Sequence, residues 1–249
     1  MNADRRGKVS PDLGSALVKF LRHARSDPGR QWLYHPRDFE LADMIRREVI
    51  LDLIKVCPTF RKDVGAGKVV CDFGVAFQHR GRSKTLDLVA GPPKEPPLPA
   101  RDGDLRRGEV VEPRLILEVK ACMTAHRQAT TRLVDELLSA SDIVRGAAPV
   151  SVIVAVVVIN VSPTFTSPLR LPGPNANRAG DIDRLISRLV ERVGGLSASA
   201  GGYDALGLVI VDFDNEKRIE AVAQSAHVPS DFAYARMLRR VCARWLGQP

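Results

Sequence analysis

The sequence predicts an α/β fold in which a central mixed β-sheet is flanked by helices. Valine-rich runs alternate along the chain with segments whose apolar residues recur at helical spacing. The 249 residues are 45% hydrophobic, which is enough to bury one sizeable core, and the chain contains no internal repeat. We therefore expect an N-terminal extension over residues 1–37, a core over 38–162, and a C-terminal α/β extension over 163–249 packed on the same domain.

The first predicted core element is an amphipathic helix over residues 38–56, with a proline just before it and another just after it. Its packing face is formed by Leu41, Ile45, Val49 and Ile50. Glu48 shares that face, because it follows Leu41 by seven residues and so lies almost directly below it. An acidic residue at such a position is a candidate for a functional role.

The middle of the chain predicts a hairpin, a long loop and a buried strand pair. Residues 68–77 and 84–89 read as two strands joined by the polar stretch HRGRS. Residues 91–113 contain six prolines, which exclude regular structure there. A strand over 115–120, a helix over 124–144 and a valine-rich strand over 150–161 follow.

The last third predicts three further elements after a second loop rich in proline, glycine and asparagine. They are a helix over 181–193, a strand over 205–213 and a helix over 230–246. Two of these helices carry arginines at every fourth position. Such basic stripes either follow a phosphate backbone or are ordinary solvated faces of an arginine-rich protein.

The overall charge favours a polyanionic partner. The formal net charge is +8 and the isoelectric point is near 9.6. Four cysteines lie far apart without a CxxC pair, so neither a zinc site nor a disulfide framework is indicated. The N-terminal residues lack the apolar core of a signal peptide, and the longest apolar run is too short to cross a bilayer. We expect reduced thiols, a cytoplasmic protein and no association with a membrane.

Charged residues interrupt two of the predicted buried strands. Side chains alternate along a strand, so Glu118 and Lys120 share one face of the strand over 115–120. In the strand over 84–89, Leu86 and Leu88 share a face and Asp87 takes the other. If the two strands pair, Asp87 lies beside Glu118. The alternative is that Glu118 and Lys120 form a simple salt bridge at the rim of the sheet.

Two carboxylates and one ammonium group at a strand end suit a specific chemistry. Carboxylate oxygens are hard ligands that suit Mg²⁺, which keeps several waters of its own. A bound metal lowers the pKa of water and neutralises charge on a phosphoryl oxygen. A neighbouring lysine positions or deprotonates the attacking water and stabilises the developing negative charge. The pattern therefore predicts hydrolysis of phosphodiesters.

An aspartate in one strand, followed by Glu-x-Lys in the next, with helices before and after, resembles the PD-(D/E)xK nuclease superfamily. The residues are TLDLV with Asp87 and LEVK with Glu118 and Lys120, and the resemblance covers residues 38–161. It implies a restriction endonuclease-like core, Mg²⁺ held by Asp87 and Glu118 with Mn²⁺ as a substitute, a water served by Lys120, and assistance from Glu48. It also implies DNA as the substrate and a homodimer as a common form.

Four basic residues are candidates for contacts with nucleic acid: Lys84, His126, Arg127 and Arg132. His126 points inward near the start of a helix, where the other reading is a packed and satisfied histidine. The two arginines leave the packing stripe of that helix and are equally compatible with solvated side chains. Two other functions stay open, a repair or structure-specific nuclease with the same site, and a non-catalytic protein that binds nucleic acid or supports an assembly.

Overall fold

A six-stranded mixed sheet forms the centre of the computed structural model, which describes residues 13–24, 40–96, 106–168, 173–195, 201–216, 219–221 and 228–247. The strands of this sheet are β1 (Val70–His79), β2 (Arg82–Gly91), β3 (Leu115–Cys122), β4 (Val152–Asn160), β7 (Ala205–Phe213) and β8 (Ile219–Ala221). A separate two-stranded sheet joins β5 (Thr164–Phe165) and β6 (Asn175–Ala176). The helices are α1 (Leu13–Ala24), α2 (Glu40–Val56), α3 (Pro58–Gly65), α4 (His126–Ala147), α5 (Ala179–Arg188) and α6 (Tyr234–Leu246).

The strand order in the large sheet is β1-β2-β3-β4-β7-β8. The first three strands pair antiparallel, β3, β4 and β7 pair parallel, and β8 returns antiparallel on β7. The predicted α/β fold with a mixed sheet is thus confirmed. Because β7 and β8 extend the sheet that begins with β1, the last third of the chain continues the core.

Helices cover both faces of the sheet and create two hydrophobic cores. One core lies beneath α1, α2 and α6, where Leu17, Leu53 and Trp245 are fully buried. The other lies beneath α4 and α5, where Leu137 and Leu185 are fully buried. Strand β4 contributes alternate residues to both cores, and all nine of its residues are buried. A parallel strand covered on both faces reads in sequence as a continuous apolar run, as β4 does.

The structure adds elements that the sequence patterns did not predict. Helix α1 lies within residues 1–37, α3 follows α2 after a single residue, and β5 and β6 lie within the second proline-rich loop. Helix α5 continues as a π-helical segment, Leu189–Gly194, and a 3₁₀ turn, Ser230–Phe232, precedes α6. Pro58 explains the break between α2 and α3, since a proline is tolerated in the first turn of a new helix but not inside an old one.

The predicted hairpin of β1 and β2 is confirmed, and its turn is two residues long. Arg80 and Gly81 both have positive φ, at 49° and 76°, and they connect the paired residues His79 and Arg82. Two positive φ values are the requirement of a type I′ turn, which matches the twist of the strands it joins. Arg82 also forms an exposed ion pair with Asp142 of α4, and a pair of this kind adds little to stability.

The regular alternation of side chains in the hairpin is interrupted at Gly74, so one sequence-based expectation is wrong. Leu86 packs in the core beneath α4, whereas Leu88 packs in the core beneath α2, so the two do not share a face. Gly74, which stands opposite Asp87 in the register of β1 and β2, has a φ of 66°. That left-handed conformation interrupts the pleat, so the alternation of side chains restarts on either side of it.

The prediction of four reduced thiols is wrong for two of them. Cys57, at the junction of α2 and α3, forms a disulfide with Cys242 of α6, with Cα atoms 5.4 Å apart. The two cysteines are separated by 185 residues, a distance at which spacing carries no signal of pairing. Cys71 and Cys122 are free and buried.

Hydropathy and helix length in the described ranges give no candidate for a membrane span.

Candidate active site

Asp87 and Glu118 face each other where β2 and β3 separate. The antiparallel pairing of these strands runs from Ala90 with Leu115 to Leu88 with Leu117 and then stops. The next positions in the same register are Asp87 and Glu118, so the two carboxylates stand opposite each other at the first unpaired step. The expectation that Asp87 lies beside Glu118 if the strands pair is met.

Glu118 is a buried carboxylate, with 1% of its surface exposed. Its Oε1 atom lies 2.6 Å from Lys120 Nζ and 3.4 Å from Lys84 Nζ. Its Oε2 atom is buried and has no hydrogen-bond partner in the parts of the chain that the structure describes. Burial raises the pKa of Glu118, the negative charge of Asp87 adds to the rise, and the two ammonium groups oppose it.

Asp87 is more exposed, with 25% of its side chain reaching solvent. Its Oδ2 atom accepts a hydrogen bond of 2.7 Å from the backbone N–H of Val119. That bond crosses the gap between the two strands and takes the place of the missing backbone ladder. Arg46 of α2 donates a 2.8 Å hydrogen bond to the carbonyl oxygen of Asp87 and lies 3.8 Å from its Oδ1 atom. Asp87 is therefore held from both sides and its carboxylate is fixed in place.

Lys120 is a permanently charged neighbour of these carboxylates. Burial disfavours its charged form, but attraction from Glu118, Asp87 and Glu136 outweighs burial and raises its pKa above the ordinary lysine value. Glu136 of α4 places its Oε2 atom 3.9 Å from Lys120 Nζ. Because the pKa is raised, the ammonium group keeps its proton at neutral pH, and Lys120 acts as a cation and hydrogen-bond donor.

Glu48, the assisting residue implied by the resemblance, lies on the same helix as Arg46. Among the described residues, no hydrogen bond or ion pair connects Glu48 with Asp87, Glu118 or Lys120. Glu48 is half-buried at the edge of the packing face of α2, as its spacing predicted. Residue 46 lies roughly 160° around the helix axis from residue 48, and that is the direction in which α2 contacts β2. The contribution of α2 to the cluster is Arg46.

The remaining predicted contact residues fall in three places. Lys84 belongs to the cluster itself, since its ammonium group contacts Glu118. His126 is 2% exposed, and Arg127 is exposed beside it at the start of α4. Arg132 is also exposed and lies 3.7 Å from Glu136. The basic stripe on α6 consists of Arg236, Arg240 and Arg244. The first two lie near Asp231 and the third near Asp204, so the stripe is partly neutralised.

Sequence patterns missed Arg46 and Glu136. Arg46 is buried at 8% exposure on the packing face of α2, where helical spacing predicts an apolar residue. Arg46, like Glu48, is a charged residue on the packing face of α2, so the sequence marks both in the same way. The seven-residue spacing from Leu41 drew attention to Glu48 only. Glu136 lies four residues after Arg132, which by itself suggests only a surface ion pair on a helix.

The free cysteines do not offer a nucleophile. Burial raises the pKa of Cys71 and that of Cys122 to about 12. At neutral pH both side chains are therefore protonated thiols, which are poor nucleophiles and poor metal ligands.

The carboxylate pair has the type and number of protein ligands that Mg²⁺ commonly uses. No group of three or more histidine, cysteine, aspartate or glutamate side chains is assembled in the described ranges. Mg²⁺ commonly takes one or two carboxylates, with water and substrate oxygens completing its shell. Glu118 supplies a buried oxygen without a partner, and Asp87 supplies a fixed, partly exposed carboxylate directly opposite. A cation between them would offset the burial of Glu118 and the repulsion between the two acids.

Comparison with models of protein families, with curated proteins and with solved structures gave no match for this chain.

Proposed function

We propose that this protein is a Mg²⁺-dependent DNA endonuclease of the PD-(D/E)xK type that hydrolyses phosphodiester bonds, with a role in restriction or defence against phage. The proposal is carried by the pairing of Asp87 with Glu118 at the point where β2 and β3 separate, with Lys120 in contact with Glu118. The positive net charge of +8 supports a polyanionic substrate. A cytoplasmic location and a homodimer, which would place two sites on a duplex, belong to the same proposal.

The buried, unpartnered oxygen of Glu118 favours catalysis over a purely structural ion pair. Burying a polar atom without a partner costs about 1–3 kcal/mol, and the cost is larger for a charged group. A rim salt bridge would leave that oxygen in water, where it costs nothing. An oxygen buried beside a second carboxylate is instead what a cation site requires.

Each residue of the cluster has a defined task in the proposed reaction. Asp87 and Glu118 would hold Mg²⁺, which supplies an activated water and neutralises charge on the phosphoryl oxygen. Lys120, protonated at neutral pH, orients the attacking water by donating a hydrogen bond and stabilises charge that develops at the phosphorus. Arg46 positions Asp87 from α2, and Lys84 stands at the margin of the cluster where a DNA phosphate would enter.

Two other functions stay open beside the proposed one. A repair or structure-specific nuclease would use the same cluster on a different form of DNA. A non-catalytic protein that binds nucleic acid would use the basic residues alone, and its function would survive the loss of Asp87.

Cleavage of plasmid DNA tests the proposed function. The purified protein is expected to nick or linearise supercoiled plasmid with Mg²⁺ or Mn²⁺ and to leave it intact with EDTA. Asp87→Asn removes one ligand charge and keeps the shape of the side chain, so it is expected to lower the rate at least about a hundredfold, since several kcal/mol of charge stabilisation is lost.

Asp142→Asn is the matched control, because Asp142 pairs with Arg82 on an exposed surface away from the cluster. Its rate is expected to equal that of the unchanged protein. Equal rates for Asp87→Asn and Asp142→Asn would refute the assignment, and no cleavage of plasmid, phage or single-stranded DNA by the unchanged protein would refute the enzyme.

Magnesium binding is expected to weaken as the pH falls. The loss is expected to begin at a higher pH than it would for a site with a glutamate of ordinary pKa. The metal binds the ionised carboxylate, and burial raises the pKa of Glu118 above the usual value of about 4.3. Protonation therefore competes with the metal below that raised pKa, and affinity is full above it. The increase in Tm caused by Mg²⁺, measured across pH, reports this competition. An increase that persists unchanged down to about pH 4, where a glutamate of raised pKa is protonated, would exclude Glu118 as a ligand.

A further inference from the structure

Lys84 is the more weakly held of the two lysines that contact Glu118. Its Nζ atom lies 3.4 Å from Glu118 Oε1, whereas Lys120 Nζ lies 2.6 Å from the same atom. Burial raises the pKa of Glu118, and of the two ammonium groups that oppose this rise Lys120 acts more strongly than Lys84. Lys120 has Glu136 as a second carboxylate partner, while Lys84 pairs with Glu118 alone among the described residues. Lys84 can therefore leave Glu118 at a smaller energetic cost than Lys120.

Lys84 reaches Glu118 from the part of β2 that no longer pairs with β3. The ladder between these two strands ends at Leu88, and Lys84 lies beyond that point, towards the hairpin turn. Its backbone is fixed by pairing with Phe77 of β1. Its side chain is 25% exposed, and the ammonium group stands at the end of a flexible four-carbon stem. The ammonium group can therefore turn from the buried carboxylate towards solvent without a change in the backbone.

A divalent cation would enter a site that already contains positive charge. The carboxylates of Asp87 and Glu118 face three cationic side chains, those of Arg46, Lys84 and Lys120. Like charges repel strongly in a partly buried site, because water and salt screen them poorly there. Arg46 is fixed to the carbonyl oxygen of Asp87, and Lys120 is held by the shorter contact. Lys84 is the cation that can yield its place.

We propose that Lys84 is an exchangeable cation of this site: it neutralises Glu118 in the metal-free protein, gives way when Glu118 and Asp87 bind Mg²⁺, and then contacts a phosphate of the DNA strand. The inference rests on the proposed function, from which it takes Mg²⁺ and DNA. Before the metal binds, Lys84 helps to offset the cost of a buried carboxylate. Once released, the same charge adds to the affinity for DNA, so metal and DNA each strengthen the binding of the other.

Calorimetric titration of the full chain with Mg²⁺, without DNA, tests the exchange. Lys84→Met keeps the aliphatic stem and removes the competing charge, so it is expected to tighten Mg²⁺ binding at least about fivefold. Lys84→Arg keeps the charge and is expected to bind Mg²⁺ no more tightly than the unchanged protein. Lys94→Met is the matched control, because Lys94 forms an exposed pair with Glu109 elsewhere, and it is expected to change the affinity little. A lysine with a purely structural role would weaken Mg²⁺ binding when it is lost.

Binding of a short DNA duplex, measured by fluorescence anisotropy with Ca²⁺ or with EDTA, tests the contact with phosphate. Ca²⁺ takes the same type of oxygen ligand as Mg²⁺. Lys84→Met is expected to lose at least about fivefold in DNA affinity with Ca²⁺, since a charge-assisted hydrogen bond is lost. With EDTA the loss is expected to be small, because Glu118 still holds Lys84 in the unchanged protein. Equal losses in the two conditions would contradict the release of Lys84.

NMR of the lysine ammonium groups in the unchanged protein gives a reading that needs no variant at Lys84. The Lys84 signal is expected to shift as Mg²⁺ is added, and the Lys94 signal is expected to stay in place. Equal or weaker Mg²⁺ binding by Lys84→Met, or a Lys84 signal that does not respond to bound Mg²⁺, would overturn the exchange.

Failure of the exchange and failure of the nuclease function are separately visible. Absence of Mg²⁺ binding in both the unchanged protein and Lys84→Met would overturn the metal site and the exchange together. If Lys84→Met binds Mg²⁺ more tightly and DNA more weakly as expected, but the unchanged protein cleaves no DNA, the exchange stands and the nuclease function fails.

Discussion

Glu118→Gln is expected to reduce DNA cleavage at least about a hundredfold and to leave the protein folded. Glutamine fills the same volume, so packing in the core beneath α4 is kept. It lacks the negative charge that a metal requires, and Glu118 has the only carboxylate of the cluster with a buried oxygen that lacks a partner among the described residues. Lys120 keeps Glu136 at 3.9 Å as a counter-ion, so its charge is not left isolated.

Thermal unfolding gives a second measurement that does not depend on substrate. A ligand that binds only the folded state raises its stability, so Mg²⁺ is expected to raise the Tm of the unchanged protein and not that of Glu118→Gln. Glu109→Gln is the matched control, because Glu109 forms an exposed pair with Lys94 elsewhere. If Glu118→Gln cleaves DNA normally and still responds to Mg²⁺, the residue is only the counter-ion of Lys120.

The fold was predictable because its strands are strongly marked in sequence. Strand β7 was predicted with the bounds it has, and β4 was predicted within two residues, since both are apolar runs between turn residues. Helix α1 was not predicted, although Leu13, Leu17 and Phe20 recur at helical spacing, because the prediction for this segment rested only on the polar residues before it. Its packing against the core depends on α2 and on the strands β7 and β8, which come much later in the chain. Long-range packing, and not local propensity, decides such an element.

The candidate site was predictable in part for a related reason. The facing of Glu118 and Lys120 follows from strand alternation, which β3 obeys without interruption. Strand alternation predicted one shared face for Leu86 and Leu88, and this prediction is wrong. Gly74 on the neighbouring strand interrupts the pleat at that step, so the two side chains enter different cores. A glycine inside a predicted strand is the signal that marked this irregularity. Arg46 and Glu136, the helical partners of Asp87 and Lys120, could not be predicted from the sequence, because these contacts depend on how the helices pack on the sheet.

Loss of the disulfide between Cys57 and Cys242 is expected to lower the free energy of unfolding by about 3–5 kcal/mol. The bond closes a loop of 185 residues, and a long closed loop restricts the unfolded chain more than a short one. It also joins the α2–α3 junction to α6 at a point where Phe60 packs edge-on against Trp245, with ring centres 4.9 Å apart. The bond thus ties α6 to α2 and α3 within one hydrophobic core.

Chemical denaturation with and without a reductant measures this effect. Reductant is expected to destabilise the unchanged protein, and the variant carrying Cys57→Ser and Cys242→Ser is expected to show the lower stability in both conditions. Titration of thiols in the unfolded, unreduced protein should find two free groups, those of Cys71 and Cys122; four would contradict the bond.

Disulfides are rare in a reducing cytoplasm, so the same measurement on protein taken from reducing and from oxidising compartments tests the cytoplasmic location proposed above. If two free thiols are found only in protein that has been oxidised, the cell normally holds Cys57 and Cys242 reduced. The core beneath α2 must then be stable without the disulfide.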